Sequence, residues 1–149
     1  MCFIKNNHIF AENYKKQMSE EKTPIEEAKR YLTNAKEILS ERAGKIGNYY
    51  NDGKYVKMAG DTAWKGVLIA LDSVFRVKKK PNQRVSVEDY KASIAQTNRQ
   101  VLTMVNAGYQ ILHLSMGYDG IKNYKVCQAG IEEAKKIINW CEKNTKKMT

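Results

Sequence analysis

"YVKMAGDTAWKGVLIALDSVF", residues 55–75, is the stretch that decides the fold. Ala63, Trp64, Val67, Leu68, Leu71, Val74 and Phe75 recur at steps of three and four and cover more than half of a helix circumference. A helix from Tyr55 to about Val77 follows, apolar on too many sides to lie at a surface. It belongs in the middle of a helical assembly, or gives one face to a second copy. Asp61 and Lys65 on its remaining side are spaced for an i,i+4 ion pair.

Upstream, Thr23-Pro24-Ile25-Glu26 reads as a capping box with proline at the first helical position. The helix it opens carries Ile25, Ala28, Leu32, Ala35 and Leu39 as one apolar stripe and stops near Gly44. "GKIGNYYNDGK" (44–54) then supplies the glycines and asparagines of a loop. Downstream, "KKKPNQR" (78–84) reads as a linker whose Pro81 ends the long helix. Ser86 with Asp89 makes a second capping box before Tyr90 and Ile94. Leu102, Val105, Tyr109, Leu112 and Met116 form another stripe, either in one continuous helix or after a bend near Thr97. The last helix, Ile121 to Lys143, shows Tyr124, Cys127, Ile131, Ala134, Ile138 and Cys141 at the same spacing. No segment alternates with period two, so no sheet is expected. The pattern predicts an all-α fold, an up-and-down antiparallel bundle of four to five helices.

The 149 residues suit one domain. Its expected bounds are 23–145, with an N-terminal tail or extension over 1–22 and a basic tail over 146–149. Met18 is the expected natural start. No window reaches the ~18 apolar residues of a membrane span, and the first residues lack a secretory signal. A cytoplasmic location without membrane partners is therefore expected. Cys2, Cys127 and Cys141 are odd in number and lack C-x-x-C spacing, and Cys127 and Cys141 fall on the core stripe. With only two histidines, no metal site is expected, and no phosphate-loop, dinucleotide or hydrolase motif implies a cofactor.

A net charge of +10 favours acidic partners such as RNA, DNA or an acidic protein face. Two clusters are candidate nucleic-acid contacts: Arg76, Lys78, Lys79, Lys80 and Arg84 at the linker, and Lys135, Lys136 and Lys143 with Lys146 and Lys147 near the C-terminus. Neither is interleaved with aromatic residues, so base stacking is not indicated there.

"LHLSMGYDGIKNY" (112–124) holds His113 ahead of Gly117-Tyr118-Asp119-Gly120. Gly117 is placed for a left-handed helix end, and Asp119-Gly120 for a turn and a cap on the last helix. His113 and Tyr118 are weak catalytic candidates. Tyr118 is expected to anchor the corner on the core, and His113 to be satisfied by Asn106, backbone or water. At 100° per residue, His113 lies within ~20° of Asn106. Arg99, Asn106, Gln110 and His113 thus form a polar row, a candidate dimer seam or groove.

The "A..YL..A" helix (28–35), the tyrosine loop and the 55–72 segment, in this order, resemble the HEPN superfamily of helical bundles. "Ser-Val-Glu-Asp-Tyr" (86–90), "Tyr-Gln-Ile-Leu-His-Leu" (109–114), Gly117 to Gly120 and the closing "A..II.W" (134–140) look like a bacterial HEPN-like family of unknown function. The similarity covers about residues 23 to 143. It implies a homodimer. Catalytic members are metal-independent ribonucleases that place an Arg four to six residues before a His. Here the histidines are His8 and His113, and Arg99 precedes His113 by fourteen positions, ~21 Å along a helix. The resulting expectation is a non-enzymatic interaction or regulatory module, with RNA binding or a divergent ribonuclease as alternatives.

Overall fold

The computed structural model describes residues 22–78 and 81–148, with side chains through Thr145. The N-terminal tail with Cys2, His8 and Met18, together with Lys79 and Lys80, lies outside the described residues. Among the described residues the fold has five α-helices: α1 (Pro24–Glu37), α2 (Gly53–Phe75), α3 (Val87–Ala95), α4 (Arg99–Gly108) and α5 (Tyr124–Met148). Two run on as π-helix, α1 through Ile38–Ala43 and α4 through Tyr109–Tyr118.

Local chemistry sets most of the helix starts. Thr23 Oγ1 accepts from Glu26 N at 3.2 Å while Glu26 Oε2 takes the Thr23 N–H at 3.2 Å, the reciprocal capping box read from the sequence. Ser86 and Asp89 repeat it for α3. The choice left open near Thr97 is decided by Asn98: its Oδ1 accepts from Gln100 N at 3.0 Å and Val101 N at 3.2 Å, so the chain breaks after Ala95 and restarts as α4.

Two ends differ from expectation. The long helix stops at Phe75, ahead of Pro81, because Arg76 turns left-handed at φ 46° and its N–H closes on Asp72 O. The last helix starts at Tyr124, capped by Asn123, whose Oδ1 accepts from Val126 N at 3.1 Å, and not by Asp119. With no glycine or proline after Gly130 to stop it, that helix continues through Met148.

The long helices alternate in direction. Lys29 near the start of α1 pairs with Glu142 near the end of α5. Trp64 in the middle of α2 meets Tyr109 where α4 becomes π. Phe75 stacks on Trp140 at 5.8 Å, bringing the C-terminal ends of α2 and α5 together. This is an up-and-down antiparallel bundle, with short α3 packed beside α2 and α4.

As its apolar coverage requires, α2 occupies the middle, against α1, α5 and the second π segment. Its Val56, Ala59, Ala63, Val67, Ala70 and Leu71 are fully buried, as are Ile94, Leu112, Met116 and Ile137 on neighbouring elements. Each larger aliphatic side chain contributes ~1.5–3 kcal/mol by leaving water. Cys127 and Cys141 are buried core positions.

The expectation of no sheet needs a correction. Lys45–Ile46 (β1) and Tyr49–Tyr50 (β2) form an antiparallel hairpin in the register Lys45↔Tyr50 and Ile46↔Tyr49. Gly47, at φ 60°, and Asn48 make its two-residue turn. Strands of two residues are too short for alternation to show in a sequence.

Candidate functional site

His113 sits in the second π segment, and the segment's geometry decides what it touches. A π turn closes on i→i+5, adding about one residue per turn, so residues beyond Tyr109 lag behind their α-helical positions. His113 therefore leaves the polar row and stacks on Tyr109, ring centroids 5.3 Å apart, with Trp64 at 6.2 Å. Lys91 of α3 closes the group, its Nζ 4.7 Å from the Tyr109 ring centre. His113 Nδ1 is buried and has no hydrogen-bond partner. The expected partnership of His113 with Asn106 does not account for this nitrogen. Arg99, Asn106 and Gln110 keep to the exposed side of α4 and the first π turn, with Thr103 between them.

The corner after His113 folds differently from its sequence reading. Gly120, at φ 65°, takes the left-handed position expected of Gly117. Gly117 instead sits in a close approach: a Cβ there would displace the Asp61 carboxylate and stand 3.0 Å from the Leu112 carbonyl oxygen. Asp61, expected beside Lys65, thus lies against this corner. Backbone bonds fasten the turn, Asp119 N to Leu114 O, Gly120 N to Met116 O and Ile121 N to Ser115 O, each at 2.9 Å. The corner needs no aromatic anchor, and Tyr118 stands 78% exposed, contrary to the anchoring role expected of it.

The basic residues divide. Lys78 and Arg84 line one shallow cleft at the linker, while Arg76 borders a second with Thr23, Glu142 and Thr145. Lys143 follows Glu142, so it joins the linker residues at the end of the bundle where α2 and α5 finish. Lys135 lies further up α5, in a groove against α1 with Lys29 and Lys36. Lys136 pairs with Glu133 at 3.4 Å.

A cleft of about 610 Å³ between α1 and α5 escaped sequence reading. Lys36, Glu37, Lys45 and Glu132 border it, and Leu39, Tyr50 and Ile131 form its floor. Gln128 Nε2 donates to Tyr50 OH at 3.0 Å, and Lys45 Nζ lies 3.9 Å above the Tyr124 ring centre. Burial raises the Tyr50 hydroxyl pKa above its ordinary value, so this hydroxyl stays protonated. The signal for this site was the tyrosine pair in the 44–54 loop, which carried no motif. Among the described residues, no three His, Cys, Asp or Glu side chains gather as a metal-binding set. No described helix is long and apolar enough to cross a membrane.

Fold and surfaces together define an all-α bundle of long helices that alternate in direction. The chain belongs to the family described as Domain of unknown function (DUF5618), whose model matches residues 23–143. It is similar to the solved structure of a protein of unknown function from Dyadobacter fermentans, at 46% identity and a TM-score of 0.76. That match covers 80% of this chain and 94% of the other. No curated protein matches.

Proposed function

We propose that this chain is a non-enzymatic, HEPN-like interaction module that works as a homodimer in the cytoplasm. The observation that supports the reading is the separation, within one chain, of the groups a ribonuclease would bring to one cleft. The His113 ring lies against Tyr109 and Trp64, Tyr118 points to solvent beyond the corner, and Arg99 is exposed at the start of α4. Acid-base work on a phosphodiester needs two such groups within hydrogen-bond reach of the same atoms. The seam assigned to the dimer is the stripe of Arg99, Thr103, Asn106 and Gln110, all exposed on one side of α4 and the first turn of the π segment that continues it.

Light scattering on the purified chain tests this directly. The expected mass is twice the 17.1 kDa of one chain. Asn106→Arg with Gln110→Arg is expected to halve it, by placing like charges across a two-fold seam. A monomeric wild type would overturn the dimer.

A second reading is favoured by the position of Arg76, Lys78, Arg84 and Lys143 at the same end of the bundle, in and beside two clefts. Such a surface would hold RNA by its phosphates, with affinity falling steeply as salt rises. Titration into single- and double-stranded RNA at low and moderate salt, followed by a denaturing gel, separates the readings. Salt-sensitive binding with intact RNA would favour this one, and cut RNA would favour the ribonuclease.

A further inference from the structure

The cleft between α1 and α5 has two unlike ends. At the hairpin end, Lys45 Nζ lies 3.9 Å above the Tyr124 ring, whose centroid is 5.6 Å from that of Tyr50. Tyr50 is 3% exposed, and Gln128 Nε2 donates to its hydroxyl at 3.0 Å. The proton of that hydroxyl meets no acceptor among the described residues, although Tyr50 lines the cleft. This end offers a positive charge, a hydroxyl donor and two aromatic rings.

The carboxylates of the cleft stand further along it. Tyr124, Gln128 and Glu132 follow at i, i+4 and i+8 on one side of α5, so Glu132 is two turns, ~12 Å, from Tyr124. Lys29 of α1 pairs with Glu142 of α5. Eight residues on from Lys29 and ten back from Glu142, Glu37 and Glu132 stand roughly level on opposite walls. Lys36 is the cation beside them, so this end is net negative. Among the described residues, Lys36, Glu37, Lys45 and Glu132 take part in no ion pair. Leu39, buried on the first π segment, and Ile131, buried on α5, floor the space between the ends. Beyond Glu132 the sign reverses again, where Lys36 and Lys135 border the next groove.

From this arrangement we propose that the cleft binds a short zwitterionic peptide of about three residues. Its free carboxylate lies at Lys45 and the Tyr50 hydroxyl, and its free ammonium between Glu37 and Glu132. The inference goes beyond the reading of the chain as a dimeric module and uses none of the seam residues on α4. Charge and spacing select the occupant. A nucleic acid, an anionic lipid surface or an acidic peptide would press negative charge onto Glu37 and Glu132, and a polyamine would press positive charge onto Lys45. The C-terminal segment of a partner protein would leave the two glutamates without a cation. A free amino acid holds its charges about 3 Å apart, too close to serve both ends, whereas an extended tripeptide spans ~10 Å. A longer peptide would carry its ammonium towards Lys135. Apolar side chains on the peptide would cover Leu39 and Ile131, and a cleft of about 610 Å³ has room for them.

Chemical-shift titration of the isotope-labelled whole chain with the tripeptide Ala-Leu-Ala tests the site. Saturable shifts are expected at the amides of Lys45, Gln128 and Ile131. N-acetylation or C-amidation of the tripeptide should each weaken binding about tenfold. Lys45→Gln should weaken the free tripeptide to the same extent and leave the amidated form unchanged. Glu37→Gln with Glu132→Gln should weaken the free tripeptide and leave the acetylated form unchanged. All three positions are exposed, and circular dichroism checks the fold of each variant. No saturable shift at millimolar tripeptide, or losses that do not pair each cap with its own side chain, would overturn the proposal. So would an acetylated tripeptide that binds as tightly as the free one, which would indicate a partner's C-terminus. Leucine binding as tightly as the tripeptide, or oligouridylate displacing it, would overturn it as well. Light scattering on the same samples reports the dimer independently, so either reading can fail alone.

Discussion

Gly60 of α2 lies so close to Leu112 that a Cβ on Gly60 would stand 2.6 Å from the Leu112 carbonyl oxygen and 2.6 Å from Met116 Cβ. The central helix and the second π segment therefore touch backbone to backbone. In an isolated helix, Gly→Ala gains ~1 kcal/mol, but overpacking a tight contact costs ~1–3 kcal/mol. Here the neighbour is main chain, which cannot rotate away. Gly60→Ala is expected to lower stability by ~1–2 kcal/mol, read as a fall of roughly 3–6 °C in the thermal midpoint. An unchanged midpoint would mean that the two elements separate at no cost.

Asn98 caps α4 through two backbone amides. Asn98→Ala should cost ~1 kcal/mol in urea denaturation, while Asn98→Asp, which keeps the acceptor, should cost a few tenths at most. Equal losses for both would show that the side chain contributes through something other than the cap.

His113 buries a nitrogen without a partner, and an unsatisfied buried polar atom costs ~1–3 kcal/mol. Phenylalanine keeps the ring stacked between Tyr109 and Trp64 and removes the nitrogens. His113→Phe is expected to leave stability unchanged or raise it by ~1 kcal/mol. A loss above ~1 kcal/mol would reveal a partner for the imidazole and return His113 to the list of functional groups.

Burial pushes the Cys127 thiol up to about 11 and the Cys141 thiol up to about 12. Both are above the 9.0 of a free thiol, so the folded state holds protons that the unfolded state releases. The stabilisation is complete below pH ~9 and is lost as pH rises through the folded values. Tyr90, raised to about 12 chiefly by burial and next by Asp72, adds to the same alkaline loss. Urea midpoints should be flat from pH 7 to 9 and fall above it. In a Cys2→Ser background, the two core thiols should react with iodoacetamide at pH 8 only after denaturant is added. Rapid labelling of the native protein would place a cysteine at a surface.

Much of this protein was written locally. Thr23, Ser86 and the apolar stripes specify helix starts, buried faces and the central place of α2, because capping and amphipathic spacing act within a few residues. The break at Asn98 was half legible, since an asparagine can cap a helix or ride on one. The candidate site was far less so. The π geometry after Gly108 moved His113 from the polar row onto Tyr109 and Trp64, and Gly120 took the left-handed turn read into Gly117. Neither change has a signature in residue spacing, because i→i+4 and i→i+5 closure differ by packing against α2.

The sequence by itself determined an all-α bundle, its buried stripes and its excess of positive charge, all sums over near neighbours. Only the tertiary structure decided that Lys36, Glu37, Lys45 and Glu132 border one cleft towards the hairpin end, with the linker arginines and Lys143 at the other. That separation follows from alternating helix direction and from the hairpin's bonds to the α4–α5 corner, which join residues more than seventy positions apart, such as Tyr50 and Lys122.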